Sequence, residues 1–281
     1  VRTVLYLHEN QVSYPWSEAD PDPTLERDVH YGFINFTSAL AADAVAFNSE
    51  YHRSSFLSGL PAFLRAFPDY NEVGAVDVIT AKSHVLPLGI DLRRLDQYRV
   101  DRPEGQPPLV LWNHRWEYDK KPEDFFHTLF ALMDEGLEFE VAVLGQSFDE
   151  KPAVFNEALS RLGDRTVQFG FAEDTAAYAS WLWKADLIPV TSVHDFFGAS
   201  VVEAVYCNTY PLLPRRLAYP EHIPEDLHAS HLYETAAELL GRLSHSIENI
   251  QETRRTETQH FVRRYDWQTM APEYDDFFES R

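Results

Sequence analysis

Two stretches of this 281-residue chain place charged side chains where an apolar run gives way to a helical pattern. In LVLWNHRWEYDKKPEDFF, residues 109 to 126, a strand delivers Asn113, His114 and Arg115 to a loop, and Lys120 and Lys121 stand just before a helix start. Arg115 and Lys120, five positions apart beside free helix N–H groups, suit a diphosphate. The same cations would equally pair with Glu117, Asp119 and Glu123 as a solvated loop. In SVHDFFGASVVEAVYC, residues 192 to 207, Asp195 sits at a strand-to-helix turn and Glu203 follows eight positions later. Phe197 and Gly198 lie at the helix entrance, where glycine allows close backbone approach and the first free amides can bind an oxyanion or a sugar oxygen. A carboxylate facing a crevice can accept both hydroxyls of a ribose. Against that, Val201, Val202 and Val205 would be its buried neighbours, leaving Glu203 as an ordinary solvent-facing acid. A third candidate is His8, which follows the first strand and precedes Glu9, Asn10 and Gln11. A lone histidine is more often structural than catalytic.

These residues need strands that end in a common crevice, and the pattern supplies them. Alternating β-rich runs and helical periods signal βα units in two blocks. In the first, VRTVLYLH and DAVAFNS read as strands, residues 25–42 and 50–60 as helices, and SHVLPLGID as a short strand and turn. Residues 91–108 are polar and rich in Arg, Asp and Pro, with no apolar period, and read as a linker. The second block opens with LVLWNH. A helix follows from Pro122, with Phe125, Phe126, Leu129, Leu132 and Met133 on one face and Gly136 as its stop. Strands FEVAVLG, TVQFGF, DLIPVTS and TYPLLP then alternate with helices PAVFNEALSRLG, TAAYASWLWKA and ASVVEAVYC. That is an α/β chain with open parallel sheets, whose ligands bind beyond the carboxyl ends of the strands. The tail, residues 248–281, reads as two helices separated near Tyr265 to Trp267.

Composition narrows the partners. The formal net charge is -21, and an acidic protein repels nucleic acid at long range. A local cationic groove could survive on such a globule, since Arg (19) outnumbers Lys (5) and is the better phosphate fork. Arg254, Arg255, Arg263 and Arg264 in the tail could touch RNA phosphates or simply form the polar face of a helix near acidic neighbours. Cys207 is the single cysteine, which fits a reducing, cytoplasmic compartment. No apolar run is long enough to span a membrane, and no signal peptide is visible. A strand that begins at the first residue, without Met, suggests the loss of an N-terminal portion. P-loop, paired-Cys, HExxH and nucleophile-elbow patterns are missing, as is any His/Asp cluster with metal spacing.

The order, spacing and strand context of the two charged clusters resemble the donor half of retaining family-4 glycosyltransferases. In that family an Arg and a Lys five positions apart hold the donor diphosphate, and two acids hold the transferred sugar and the ribose. Arg115 with Lys120, and Asp195 with Glu203, match residue by residue. Asp195 stands where Glu is usual. Asn208 stands where Gly is common, an exchange Asn tolerates because it accepts positive φ. The family also places a His at the position of His8, against the donor sugar, and reads the base through backbone near Gly170 and Phe171. A narrower resemblance, to the tRNA-queuosine α-mannosyltransferase family, rests on HENQ, on ERD followed by YG at residues 26–32, on HRWEYDKKPEDFF, and on HDFFG with EAVYC and YPE.

This resemblance implies a GT-B fold of two Rossmann-like lobes with parallel sheets, the first incomplete at its N-terminus. It divides the chain into residues 1–95 (acceptor-side lobe), 96–266 (donor lobe) and 267–281, a helix crossing back to the first lobe. GDP-mannose is the implied donor, as substrate rather than cofactor, and queuosine in tRNA the implied acceptor. Arg115 and Lys120 take the place of a metal; His8, Asp195, Phe197 and Gly198 orient the sugar; and Glu203 holds the ribose. Two alternatives stay open: a lipid or polysaccharide acceptor, and an inactive nucleotide-sugar-binding protein.

Overall fold

Nine strands form two wholly parallel sheets in the computed structural model, which describes residues 2–14, 28–69, 71–102, 105–146 and 152–280. The Glu26 and Arg27 of the ERD motif lie outside the described residues. The chain divides into two compact units. One comprises Val1–Gly89, His194–Phe197 and Trp267–Arg281; the other comprises Ile90–Val193 and Gly198–Asp266.

In the first unit β1 (Val4–Leu7), β2 (Ala44–Phe47) and β3 (Ser83–Val85) lie side by side in that order. Leu7 pairs with Phe47 and Phe47 with Val85, so the three strands end level. Helices α1 (Asp28–Ala41), α2 (Glu50–Arg65) and α3 (Ala75–Ala81) cover them. Phe36, Phe47, Phe56, Leu60, Leu64 and Ile79 form the core. α2 runs past the expected end at residue 60, through Pro61, because Leu60 and Leu64 are one helical turn apart and both buried. That burial outweighs the one hydrogen bond a proline removes. α3, only seven residues long, is too short to show a period in the sequence.

The second unit begins β4 (Leu109–Trp112), α4 (Pro122–Asp134), β5 (Glu140–Leu144), α5 (Val154–Leu162), β6 (Thr166–Gly170) and α6 (Thr175–Lys184). It continues with β7 (Leu187–Pro189), α7 (Ala199–Tyr206), β8 (Tyr210–Pro214), α8 (His228–His231), β9 (Leu232–Tyr233) and α9 (Ala236–Glu248). The strand order is β6-β5-β4-β7-β8-β9, so successive strands run outward from β4 to one edge and then from β7 to the other. Such a reversal opens a crevice at the carboxyl ends of the two central strands. Trp112, Phe125, Phe126 and Phe155 pack edge-to-face and stacked behind it, with ring centroids 5.0–6.2 Å apart.

At the opposite ends of β4 and β7 the buried Asp186 carboxylate accepts from the Leu109 N–H (2.9 Å) and from Arg254 (2.9 and 3.0 Å), with Arg102 at 3.3 Å. Arg254 is therefore spent on holding the central strands together, not on a nucleic-acid surface.

Two expectations need correction. Residues 91–108 are not a bare linker: Arg93–Tyr98 forms a 3-10 turn whose Leu95, with Leu92 before it, is fully buried. Two apolar residues at a three-residue spacing are all that turn requires, so no longer period appears. The first tail helix is likewise broken into α10 (Ile250–Thr253) and α11 (Gln259–Val262), with Thr258 between them tied to Val205 and Thr209 carbonyls. The last helix, α12 (Trp267–Glu279), belongs with the first unit, where Tyr274 donates to the Pro87 carbonyl and Met270 packs with Ala46 and Leu86.

Candidate functional site

Beyond β4 and β7 the second unit holds a cavity of about 530 Å³, lined among others by Arg94, Asn113, Arg115, Gly145, Phe171 and Tyr178. Three loops make its walls, and each is fixed by its own bonds. The loop after β4 is tied to the start of α7, with Asn113 donating to the Ser200 carbonyl (2.7 Å) and His114 Nδ1 3.1 Å from the Ser200 hydroxyl. Farther along, the Val193 N–H donates to the Asp119 carbonyl, and the Thr191 hydroxyl donates to the carbonyls of Lys120 and Lys121. The loop after β5 lies so close that a Cβ on Gly145 would come 2.3 Å from the His114 carbonyl oxygen, at a φ of +104°. Only glycine fits there. The loop after β6 presents Phe171, 66% exposed, and ends in Asp174, which caps α6 by accepting from the Ala177 N–H at 2.7 Å.

The two predicted cations are placed differently. Arg115 lines the cavity, is 57% exposed, and pairs with Glu117 at 3.2 Å. Lys120 is not among the lining residues; its side chain is 9% exposed and bonds Asp119 at 3.1 Å. Lys121, with φ +49°, turns the chain into Pro122 at the start of α4.

Glu203 is not a solvent-facing acid. Only 13% of its side chain is exposed; one carboxylate oxygen accepts from Arg94 (2.9 Å) and the other from the Tyr178 hydroxyl (2.8 Å). Val201, Val202 and Val205 are buried as expected and hold α7 in place. Burial, then the Glu203 carboxylate, pushes the Tyr178 phenol well above its ordinary pKa, so it remains a donor at neutral pH. Neither Arg94 nor Tyr178 was marked by the sequence. Arg94 lies in the stretch read as linker, and Tyr178 stands within an unremarkable helix.

Gly198 caps α7 in the left-handed region (φ +81°), and a Cβ there would lie 3.0 Å from the Tyr219 ring. Gly170 ends β6 at φ +122°. Asn208, expected to tolerate positive φ, sits at +62°, and its side-chain oxygen accepts from the Thr258 and Gln259 N–H groups. Cys207 is buried, which pushes its thiol up, so it offers no nucleophile.

His8, Asp195 and Phe197 belong to the first unit. His8 is exposed just past β1, its carbonyl accepting from Asn48 at 2.9 Å across the level strand ends. Asn10 is wholly buried and folds the next turn, its side-chain oxygen accepting from the Val12 and Ser13 N–H groups. Within HDFF, His194 packs on Tyr14 and Phe196 stacks on His52 at 4.1 Å, while the Phe196 carbonyl accepts from Ser49 (2.6 Å). Ser49 also caps α2 by accepting from the His52 N–H. Asp195 is half-buried between them. Among the described residues there is no group of three or more His, Cys, Asp or Glu that could hold a metal, and no helix long and apolar enough to cross a membrane.

Comparison with known proteins bears on this geometry. A family model described as tRNA-queuosine alpha-mannosyltransferase N-terminal matches residues 1–90. The Drosophila melanogaster tRNA-queuosine alpha-mannosyltransferase is 32% identical over 289 residues, covering 99% of this chain and 74% of that protein. A Mycobacterium tuberculosis GDP-mannose-dependent alpha-(1-6)-phosphatidylinositol dimannoside mannosyltransferase is 27% identical over 56% of this chain and 41% of its own length. Among solved structures, Anabaena HepE in complex with UDP-glucose superposes with a TM-score of 0.69 at 18% identity, covering 99% of this chain and 72% of that one. Sucrose-phosphate synthase from Thermosynechococcus elongatus gives 0.67 at 17% identity, covering 99% and 67%. At such identities the structural likeness speaks for the fold, which is GT-B. With 99% of this chain aligned to the fly relative at 32% identity, the chain belongs to the tRNA-queuosine alpha-mannosyltransferase family.

Proposed function

We propose that the chain transfers mannose, with retention, from GDP-mannose to queuosine in tRNA. The observation that carries this reading is the meeting of Arg115 with the Arg94–Glu203–Tyr178 group around one cavity at the strand-order reversal. A nucleoside diphosphate needs a cation for its phosphates and polar groups for its ribose, and this cavity offers both. Phe171 and Gly170 stand where a base would lie. Arg115 balances the charge that grows on the leaving diphosphate, in place of a metal. Lys120 joins it by exchanging the Asp119 carboxylate for a phosphate oxygen. In this unit the first amides of α7, which Gly198 opens, are available to a sugar oxygen.

No enzyme nucleophile is required. The bond from the anomeric carbon to the diphosphate breaks, a bond to a cyclopentene hydroxyl of queuosine forms on the same face, and that hydroxyl's proton passes to the departing phosphate oxygen. A tRNA acceptor implies action in the cytoplasm.

A second reading, transfer to a lipid-linked acceptor, is favoured by the net charge of -21 and by the mycobacterial relative's name. One assay separates the two. Protein, GDP-mannose and tRNA-Asp with or without queuosine are incubated in excess EDTA, and the nucleosides are analysed by mass. A hexose on queuosine alone is the expected result. Transfer to a lipid extract with unmodified tRNA would support the second reading, and donor binding without any turnover would contradict both.

A further inference from the structure

At the ends of β4 and β7 away from the donor cavity lies a second recess, of about 270 Å³, lined by Arg99, Asp101, Arg102, Trp183, Asn208 and Arg254 among others. We propose that this recess binds a phosphate dianion, either free or as the end group of a small phosphoester.

Charge is the first support. On a chain of net charge -21, three arginines meet two acids here, Asp101 and Asp186, which leaves one positive charge over. That surplus is held inside the fold. The Arg102 and Arg254 side chains are 17% and 14% exposed, and they share the single buried Asp186 carboxylate. Burial lowers the Arg102 pKa, and repulsion from Arg254 works in the same direction against the pull of Asp186. An anion between the two guanidinium groups relieves that repulsion.

The hydrogen-bond inventory gives the second. A guanidinium carries five N–H donors and matches phosphate oxygens with them in pairs. Arg102 directs one each to the Trp183 carbonyl, the Asn208 carbonyl and Asp186; Arg254 directs two to Asp186 and one to the Gln106 carbonyl. Each therefore keeps two. Arg99 is exposed and, among the described residues, gives its side-chain donors to no acceptor; its guanidinium lies 5.1 Å from the centre of the Trp183 ring. Trp183 thus orients both neighbours, Arg99 over its ring and Arg102 through its carbonyl, while its own ring N–H is tied to the Leu95 carbonyl at 2.8 Å. A plain staple of the two central strands needs Asp186 with Arg254 and Arg102. Arg99 is surplus to that purpose.

Size and depth set the ligand class. The volume falls below the ~300–1,000 Å³ of pockets that enclose drug-sized ligands, so a nucleotide sugar does not fit. Arg102 and Arg254 are recessed, and a phosphodiester flanked by two riboses cannot bring its oxygens to them. A terminal phosphate or a free diphosphate can.

The test is calorimetry and thermal midpoints with pyrophosphate and with ribose 5-phosphate, at constant ionic strength, on the Arg115→Ala protein, which lacks the donor-side phosphate contact. Pyrophosphate should bind and raise the midpoint, because a ligand of the folded state alone stabilises it. Adding Arg99→Gln should weaken that binding about tenfold, the worth of one charge-assisted contact, while the unliganded midpoint confirms folding. Arg161→Gln, which removes an equal charge from α5, should change it less than twofold. Ribose 5-phosphate binding with the same dependence on Arg99 assigns the site to phosphoester ends, and pyrophosphate binding alone assigns it to the free anion. No pyrophosphate binding, or equal losses in the Arg99 and Arg161 variants, would overturn the proposal. So would a 5′-hydroxyl RNA oligonucleotide that displaces pyrophosphate, since its phosphates are all diesters.

Discussion

Arg115 and Lys120 were legible together as a five-residue pair, but folding gives them different environments. Arg115 is mostly exposed and its ion pair with Glu117 is of the surface kind, worth ~0–1 kcal/mol to the fold. Arg115→Ala should therefore leave the thermal midpoint nearly unchanged while weakening GDP binding by about 2 kcal/mol, the value of a charge-assisted phosphate contact. Calorimetry decides it, since unchanged affinity in the folded variant removes Arg115 from the site. The neighbours that complete the site were not legible. Arg94 and Tyr178 stand 109 and 25 residues from Glu203 along the chain, and nothing local marks either as its partner. His52 adds a second residue-scale expectation. It is buried against Phe47 and Phe196, with Nδ1 2.8 Å from the Asn48 oxygen. Burial, with repulsion from His194 and His8, lowers its pKa from 6.5 to about 3. Below pH 6.5 the unfolded chain takes up a proton that the folded chain refuses until about pH 3. Its stabilising contribution is thus full above pH 6.5 and lost progressively as pH falls toward 3. Chemical denaturation of wild type and His52→Gln across that range should show the gap between them moving in the variant's favour as pH drops. A gap that stays constant would mean the imidazole is not held neutral.

At the scale of elements the sequence told most where the period was long and least where a turn did the work. Strands β4 to β8 and helices α4 to α7 follow the expected alternation, because each strand but the half-buried edge strand β6 is a largely buried run and each helix keeps an apolar stripe. What the period could not reveal was how the loops close on one another. Gly145 reads as the tail of FEVAVLG, yet it is the point where the loop after β5 touches the backbone after β4. Trp116 reinforces that contact, its N–H donating to the Gln146 carbonyl and its ring N–H to the Leu144 carbonyl. Gly145→Ala brings a methyl against the His114 carbonyl and asks a non-glycine residue to hold a strained φ, at a cost of about 1–3 kcal/mol. Both the thermal midpoint and nucleotide affinity should fall, because the displaced backbone carries His114 and Arg115. A variant with full affinity and an unchanged midpoint would show that the loops are looser than drawn. The short pieces, β9 and the 3-10 turn at Arg93–Tyr98, were illegible for the same physical reason: tertiary contacts, not local propensity, hold them.

For the molecule as a whole, family membership and a net charge of -21 point in different directions, the one toward a tRNA acceptor and the other away from RNA. Net charge governs approach and solubility, whereas the chemistry of a site is local. A diphosphate bound beside Arg115 meets that residue's field within a few ångströms, well inside the ~8 Å over which physiological salt screens the rest. Family membership is shown by 32% identity along the chain, and the strand-order reversal holds a cavity lined by Arg115. A donor nucleotide in that cavity is the proposal that joins the two. The most direct test is an experimental structure of the protein saturated with GDP. The diphosphate is expected against Arg115, the ribose at the Arg94–Glu203–Tyr178 group, and the base beside Phe171. GDP ordered anywhere else, or a cavity without nucleotide at saturation, would contradict it.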